Sequence, residues 1–391
     1  MCSPWSEVSN VRSRHLLALL KVRSATQFAF YISLLLLIIL LATHLLTVRE
    51  LPSAIDWRLL ILLGSFMLIS EGLKLAGFMD WIAAMMADTG HSLGKLYLLL
   101  LIGAFVLAML ITNDAALFAV IPFTIVLAQH VKLSLRRIVI YEIIAVNLGS
   151  ALTPWGNPQN LFIYHYYHLS PGAFFHQSYP FVLISLAALY LLSMLTLGPR
   201  RRELDRSLRE DSEPSVSWNK ASILLILFVL LVLSVLHIVP VSISAGLLVL
   251  YMAITLRDGF RRLDWWLLGT FLLLFPTMGG LGSALARVLG SGLVGPLAVY
   301  GAGIGISQLV SNVPAAMLLS RVTADWRSLF YGVNIGGLGT IVASFANLIG
   351  LSLYLKGRKE NDWKGFIMEA FVWNVLLLVI LGGTFVLIVG R

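Results

Sequence analysis

Long apolar runs separated by short polar segments set the pattern of this chain. Runs over 28–47, 57–77, 137–166, 179–198, 221–239, 243–256, 264–281, 326–355 and 365–389 approach the ~20 residues that a helix needs to cross a bilayer. They predict nine crossings. Two further apolar regions, 95–129 and 293–320, are each interrupted by a polar tip, Thr112-Asn113-Asp114 in the first and Ser311-Asn312 in the second. The arms of the first, Leu96 to Ile111 and Ala115 to Ala128, hold 16 and 14 residues, roughly 24 and 21 Å at the helical rise. Neither spans a hydrocarbon core of ~30 Å comfortably. Both regions therefore read as re-entrant hairpins, and the fold class as an all-α polytopic membrane protein.

The pattern also repeats. "VNLGSALTPWGNPQNL" (146–161) aligns without gaps to "VNIGGLGTIVASFANL" (333–348), with six identities in sixteen positions. Upstream, Thr112-Asn113 aligns with Ser311-Asn312, and Asp56-Trp57 with Asp264-Trp265, where Leu59, Leu60, Gly72 and Leu73 recur as Leu267, Leu268, Gly280 and Leu281. Five crossings separate Trp57 from Trp265 in this topology. An odd number turns the second copy upside down, the inverted-topology architecture of many secondary transporters. The predicted organisation is an N-terminal tail (1–27), a first membrane repeat (28–198, with hairpin 95–129 and broken helix 137–166), a polar linker (199–220) and a second repeat (221–391, with hairpin 293–320 and broken helix 326–355).

Composition agrees with the membrane reading: 59% of the 391 residues are hydrophobic and 12% are charged. The balance of +9 does not point to nucleic acid, because Lys and Arg lie in short segments between apolar runs. Membrane orientation accounts for them. With a cytoplasmic N-terminus and hairpins that return to their own side, 22 of the 28 Lys and Arg fall on the inner side, as the positive-inside rule requires. Counting each hairpin as two full spans preserves the parity of the later loops, so arm length rather than charge favours re-entry. The run Phe28 to Leu46 lacks a small-residue cleavage site after it and reads as an uncleaved span. Cys2 is the single cysteine, which excludes an internal disulfide and a Cys-based metal site.

The chemistry concentrates at the tips and breaks. Gly149, Ser150, Thr153, Pro154, Gly156, Asn157 and Pro158 cannot belong to one uninterrupted helix, since Pro removes a donor and Gly loses helix stability. The second copy breaks at Gly336, Gly337 and Gly339. Unwound backbone at membrane depth is tolerated where it is buried in protein or lines a watery cavity. Helix N-termini at the tips then offer N–H donors to an anion, and unwound carbonyls can coordinate a cation. No HExxH, Gly-x-Ser-x-Gly, phosphate loop or Cys/His spacing is present, so the sequence carries no enzyme signature and expects no cofactor or resident metal.

At these residues the chain resembles a known family. Thr-Asn-Asp ahead of "AALFAVIP", then "NLGSALTPWGNPQNL", "SQLVSNVPAAMLL" and "NIGGLGTIVASFANLIGL" are similar to the ion-transporter superfamily of arsenite efflux carriers, citrate carriers, divalent-anion sodium symporters and some sodium/proton antiporters. The likeness runs from Asp56 to Leu351 and is nearest to the YbiR-type bacterial inner-membrane proteins. It implies a scaffold plus a mobile unit of hairpins and broken helices, usually a homodimer, moving like an elevator. It also carries the first tip onto Thr112, Asn113 and Asp114, and the first break onto Ser150 through Asn157, with Thr153, Pro154 and Gly156 inside it. The second tip falls on Ser311 and Asn312, the second break on Gly337 through Ser344, with Thr340 inside it. Where the divalent-anion symporters have tips resembling Ser-Asn-Thr, the third positions here are Asp114 and Val313. An Asn-Asp tip is more similar to the arsenite-type and antiporter-type branches.

Several residues keep two readings at this level. Asp114 is either a coupling carboxylate, with Na+ near Asn113, Asp114 and Asn157 as one option, or the N-cap of the second hairpin arm. Asn113 and Asn312 suit binding, whereas Asn147 and Asn334 suit capping of the breaks. Glu142, five residues after Arg137, either snorkels toward the inner surface or serves as a candidate proton relay. Glu71 and Glu369 lie near span ends and read as interfacial, and His44 and His237 as solvated. With no Lys or Arg at the tips or breaks, helix N-termini and Asn, Ser or Thr donors would hold an anion. The expected protein is a secondary active transporter of a small anion or oxyacid, coupled to H+ or Na+, with its N-terminus inside a bacterial plasma membrane. A Na+/H+ antiporter is the alternative transporter, and an ion channel the alternative of another class.

Overall fold

A computed structural model describes residues 27, 29–79, 81, 93–130, 134–197, 215–289, 295–356 and 362–390. The helices in chain order are α1 (Ala29–Ala42), α2 (Leu51–Ala54), α3 (Trp57–Leu75), α4 (Leu93–Leu110), α5 (Asn113–His130), α6 (Leu135–Gly149), α7 (Pro158–Tyr166), α8 (Pro171–Leu197), α9 (Trp218–Val235), α10 (Val241–Thr255), α11 (Asp258–Arg262), α12 (Trp265–Leu289), α13 (Pro296–Val310), α14 (Asn312–Leu319), α15 (Trp326–Gly336), α16 (Phe345–Lys356) and α17 (Trp363–Val389). Among the described residues there is no strand. Most of the expected tail (1–26) and the linker part 198–214 lie outside them.

Four helices, α8, α9, α12 and α17, are long and apolar enough to cross a membrane. The segment Val48–Ala54 with α3, bent by 57°, makes a fifth. α1, α4, α5, α10, α13 and α16 are apolar but shorter. The largest differences from the sequence expectation are at two boundaries. α8 starts at Pro171 rather than 179, and α12 runs on to Leu289 rather than stopping at 281. Both carry an internal proline, Pro180 and Pro276, which neighbouring helices can accommodate in a membrane protein.

Each apolar segment with a polar interruption is divided in the structure. The chain over 137–166 consists of α6, a 3-10 turn at Ser150–Leu152 and α7. The chain over 326–355 consists of α15, a 3-10 turn at Ile341–Ala343 and α16. α4 and α5 meet at Ile111-Thr112, and α13 meets α14 at Ser311, whose φ of 77° turns the chain. α13 and α15 then pack backbone to backbone, since a Cβ at Gly303 would lie 2.9 Å from Gly332 Cα. Small residues permit such approaches between apolar helices.

Local capping follows the repeated sequence. Asp56 accepts from Leu59 N at 3.0 Å and starts α3, while Asp264 accepts from Leu267 N at 3.1 Å and starts α12. The adjacent indoles also match: Trp57 Nε1 donates to Pro52 O at 3.3 Å and Trp265 Nε1 to Phe260 O at 2.9 Å. Thr153 Oγ1 bonds Met109 O at 3.1 Å, and Thr340 Oγ1 bonds Gln308 O at 3.2 Å, so each break is tied to the helix that leads into its tip.

Two groups of helices result. α3 packs against α9, α10, α11 and α12. The hairpin α4–α5 packs against α6, α16 lies on α5 and α6, and α13–α14 lies on α15. Contacts of α12 with α14 and of α3 with α7 join the groups. Outward faces are apolar: Leu195 is 83% exposed, Ile254 70% and Leu387 68%. On a water-soluble protein such surfaces would be an aggregation hazard, and in lipid they are the expected exterior.

Candidate substrate site

The first hairpin tip is held on the first break by the backbone. Asn113 N donates to Gly156 O at 2.8 Å. Gly156 is needed at this crossing, because a Cβ there would lie 2.1 Å from Ser150 O. The side chains around it are used as caps. Thr112 Oγ1 accepts from Ala115 N at 3.3 Å, Asn113 Oδ1 from Asp114 N at 2.9 Å, and Asn157 Oδ1 from Asn160 N at 2.9 Å. Asn157 Nδ2 donates to Ser150 Oγ at 3.0 Å. These bonds satisfy donors that helix starts leave open.

A cavity of about 110 Å³ opens against this junction. That is below the ~300–1,000 Å³ of drug-sized pockets and suits a small solute. Thr112, Asn113, Asp114, Trp155 and Asn157 line one side. The opposite side is formed by α3, through Ser70, Glu71 and Lys74, and by the α11–α12 corner, through Arg262 and Asp264. Apolar side chains such as Phe66, Leu267 and Phe271 complete the wall. Trp155 is anchored at the rim by its Nε1 donating to Leu110 O at 3.4 Å.

The structure brings together only part of the expected set. Thr112, Asn113, Asp114 and Asn157 share the cavity, and Ser150 stands one hydrogen bond behind them. Thr153 and Pro154 are buried within the break and do not line it. The second tip, Ser311 and Asn312, is 4% and 2% exposed and lines no part of this cavity, nor do Gly337, Thr340 and Ser344. Those residues knit the second break: Thr340 N donates to Gln308 Oε1 at 2.9 Å, and Gly337 O accepts from Asn347 Nδ2 at 3.2 Å. Ser344 Oγ donates to Asn147 Oδ1 at 3.0 Å. Gln308 fixes both the break and its own helix but is chemically quiet in sequence.

Glu142 does not snorkel. It is fully buried, accepts from Thr124 Oγ1, and has no partner for Oε2. Glu71 lines the cavity and is paired with Lys74 at 2.6 Å. Glu369 takes Arg136 at 2.6 Å and Arg137 at 2.9 Å. Lys74 and Arg262, absent from the tips and breaks, supply the cationic groups of the site from the other helix group. For Lys74, the helical i, i+3 spacing of opposite charges in "SEGLK" (70–74) is the signal that could have found it.

A Na+ ion would find limited valence on the amide oxygens, since those of Asn113 and Asn157 already accept backbone N–H groups. The Asp114 carboxylate accepts no hydrogen bond among the described residues. It is the strongest ligand available to a monovalent cation or proton there.

The family model described as CitMHS, citrate transporter, matches residues 28–326. The chain belongs to this citrate transporter family. Inner membrane protein YbiR of Escherichia coli (strain K12) is 32% identical over 340 residues, 84% of this chain and 90% of that protein. An uncharacterized transporter of Methanocaldococcus jannaschii is 30% identical over 332 residues, 83% and 88% of the two chains. Solute carrier family 13 member 1 of Mus musculus is 26% identical over 130 residues, 32% of this chain and 21% of that protein. As a member of the citrate transporter family the protein is a membrane transporter, and its apolar helices are the part of the chain that meets the bilayer.

Proposed function

We propose that this transporter is secondary active, carries a small anion or oxyacid through a bacterial inner membrane, and couples the movement to H+ or Na+. The observation that carries this reading is the cavity itself, where a hairpin tip and a helix break set Asp114 opposite Lys74 and Arg262. A carboxylate and two cations around one small space suit a cation or proton and an anion arriving together. Nine crossings, two re-entrant hairpins and a cytoplasmic N-terminus are the topology we assign to it.

The transport cycle is read as an elevator. The group α3, α9, α10, α11 and α12 is the static part, and the hairpins with the broken helices move against it. The Asn113–Gly156 bond supports this division, because it makes tip and break one body. Inverted repeats are supported by the paired caps and threonine bonds of the two halves. The unit is proposed to work as a homodimer, with the exposed apolar faces shared between lipid and the second copy.

Luminal pH in proteoliposomes tests the reading, with wild type and Asp114→Asn under gradients of sodium, citrate, phosphate, sulfate and arsenite. An anion-dependent pH or sodium-driven signal that disappears in Asp114→Asn is the expected result. A sodium-dependent pH change without any anion would replace the anion carrier by an antiporter. Flux without coupling in both proteins would replace it by a channel.

A further inference from the structure

Lys74 occupies an unusual position in the cavity. Its Nζ lies 2.6 Å from Glu71 Oε1 and 3.8 Å from the centroid of the Phe118 ring. Phe118 follows Asp114 by one turn on α5, so the two share a face of the helix, and both line the cavity. The ammonium of a residue on α3 therefore rests on the Asp114 face of the hairpin. The side chains of Lys74 and Glu71 keep 20% and 17% exposure, so the pair opens to the cavity rather than being sealed behind it.

We infer that Lys74 is the residue that receives the negative group of the substrate, exchanging Glu71 for it, and that it selects a solute bearing at least one full negative charge. The inference rests on the anion-carrier reading above. An ammonium has three N–H donors; Glu71 takes one, and the ring face attracts the charge without competing for the others as a strong acceptor. Arg262 is exposed, and Asp264 is engaged by the N–H groups of Trp266 and Leu267 at 3.1 Å. Lys74 is therefore the partly desolvated cation, where an ion pair with a ligand gains most.

Charge balance links this to coupling. The lining holds two cations, Lys74 and Arg262, against three acids, Glu71, Asp114 and Asp264. With all five ionised the cavity has one negative charge in excess, so an anion enters favourably once a proton or monovalent cation has neutralised an acid. A helical i, i+3 ion pair that served α3 alone would contribute weakly to the fold. It would not affect ligand binding.

Thermal stability of the purified full-length carrier, titrated with citrate, succinate, sulfate, phosphate or uncharged arsenious acid, tests the assignment. At least one anion is expected to raise the melting temperature of the wild type. Its half-saturating concentration should rise at least ~10-fold in Lys74→Met, equivalent to ~1.4 kcal/mol, stay near the wild-type value in Lys74→Arg, and fall in Glu71→Gln, where the competitor is gone. Unchanged half-saturation in Lys74→Met overturns the role of Lys74 and leaves the anion-carrier reading intact. If Lys74→Met does not fold, unchanged half-saturation in Glu71→Gln overturns the exchange. Stabilisation by arsenious acid alone, or by none of the panel, overturns the choice of an anion and with it the reading on which the inference rests.

Discussion

Asn147 Nδ2 donates to Asn347 Oδ1 at 2.8 Å, and Asn334 Nδ2 donates to Asn160 Oδ1 at 2.9 Å. Asn147 aligns with Asn334, and Asn160 with Asn347, so each break is bonded to its counterpart in the other half. All four asparagines are buried. Truncating one member leaves its partner unpaired, at a cost of about 1–3 kcal/mol. Asn147→Ala and Asn347→Ala should each destabilise by that amount, and the double variant by clearly less than the sum. Denaturation of the four proteins of this cycle in detergent provides the check, and strict additivity would refute the pairing.

The same bonds bear on folding of the halves. Neither half can satisfy its buried asparagines alone, and unpaired polar groups are costly at membrane depth. A carrier divided in the linker is expected to give two halves that are each protease-sensitive when expressed singly and that co-purify when expressed together. Stable, protease-resistant single halves would contradict the interlock.

Gly156 is the second place where one atom decides the outcome. An added Cβ would lie 2.1 Å from Ser150 O and 2.9 Å from Thr153 Oγ1. Gly156→Ala should cost about 1–3 kcal/mol by overpacking and abolish uptake by moving Asn113 off the break. Gly172→Ala, with nothing within 4 Å of the new carbon, is the matched control. Melting temperature and uptake measured on both variants separate the local clash from a general effect of alanine.

A pH response is expected from the cluster joining α3, α7 and the α9–α10 turn. Asp56 Oδ2 lies 2.8 Å from His165 Nδ1, and the His165 and His237 rings stack at 6.1 Å and 12°. His168 and Arg58 complete the cluster. Burial, then the charges of Arg58, His165 and His168, hold His237 below its ordinary value of 6.5. A depressed group favours the fold above its unfolded value, and that contribution is lost as pH falls through the folded one. The His237 part is lost below about pH 6.5, so the melting temperature should decline there, and His237→Asn, which tolerates the φ of 63°, should reduce the decline. An identical pH profile in the variant would exclude His237.

Glu142 gives a prediction separable from its packing. Gln at this position keeps an acceptor for Thr124, so Glu142→Gln should melt within about 1 kcal/mol of the wild type, while Glu142→Ala leaves a void and an unpaired Thr124 and should cost about 2–4 kcal/mol. If Glu142 relays protons, Glu142→Gln flattens the pH dependence of uptake. Unaltered pH dependence in proteoliposomes would leave Glu142 a structural group.

The breaks and tips were legible because proline, glycine and asparagine at membrane depth admit few structures. Pro154, Gly156 and Pro158 cannot continue α6, and the chain unwinds there. What the sequence could not reveal is which distant residues face the tip. Arg262 and Asp264 reach the cavity from about 150 positions beyond Asp114, and no local pattern encodes that contact. Glu142 illustrates a different limit. Its nearness to Arg137 along the helix suggested that it snorkels to the same surface, but five residues turn a helix by about 140° past a full turn, so Arg137 meets Glu369 while Glu142 meets Thr124. The second tip was expected in the site because it mirrors the first. The structure instead buries it against its own break, where Gly337 stands so close that a Cβ would lie 2.8 Å from Asn312 Nδ2.

The two indoles at the starts of α3 and α12 are 53% and 56% exposed while their Nε1 groups are tethered to the chain just upstream. Tryptophan of this kind settles at the boundary between headgroups and acyl chains. In the inverted arrangement proposed above, Trp57 and Trp265 grip opposite leaflets. α3 and α12 both line the cavity from the static side, so a change in bilayer thickness would strain that wall and alter the space it shares with the hairpin tip. Acyl-chain length would then act as a control on the carrier, set by the host membrane and independent of any ligand.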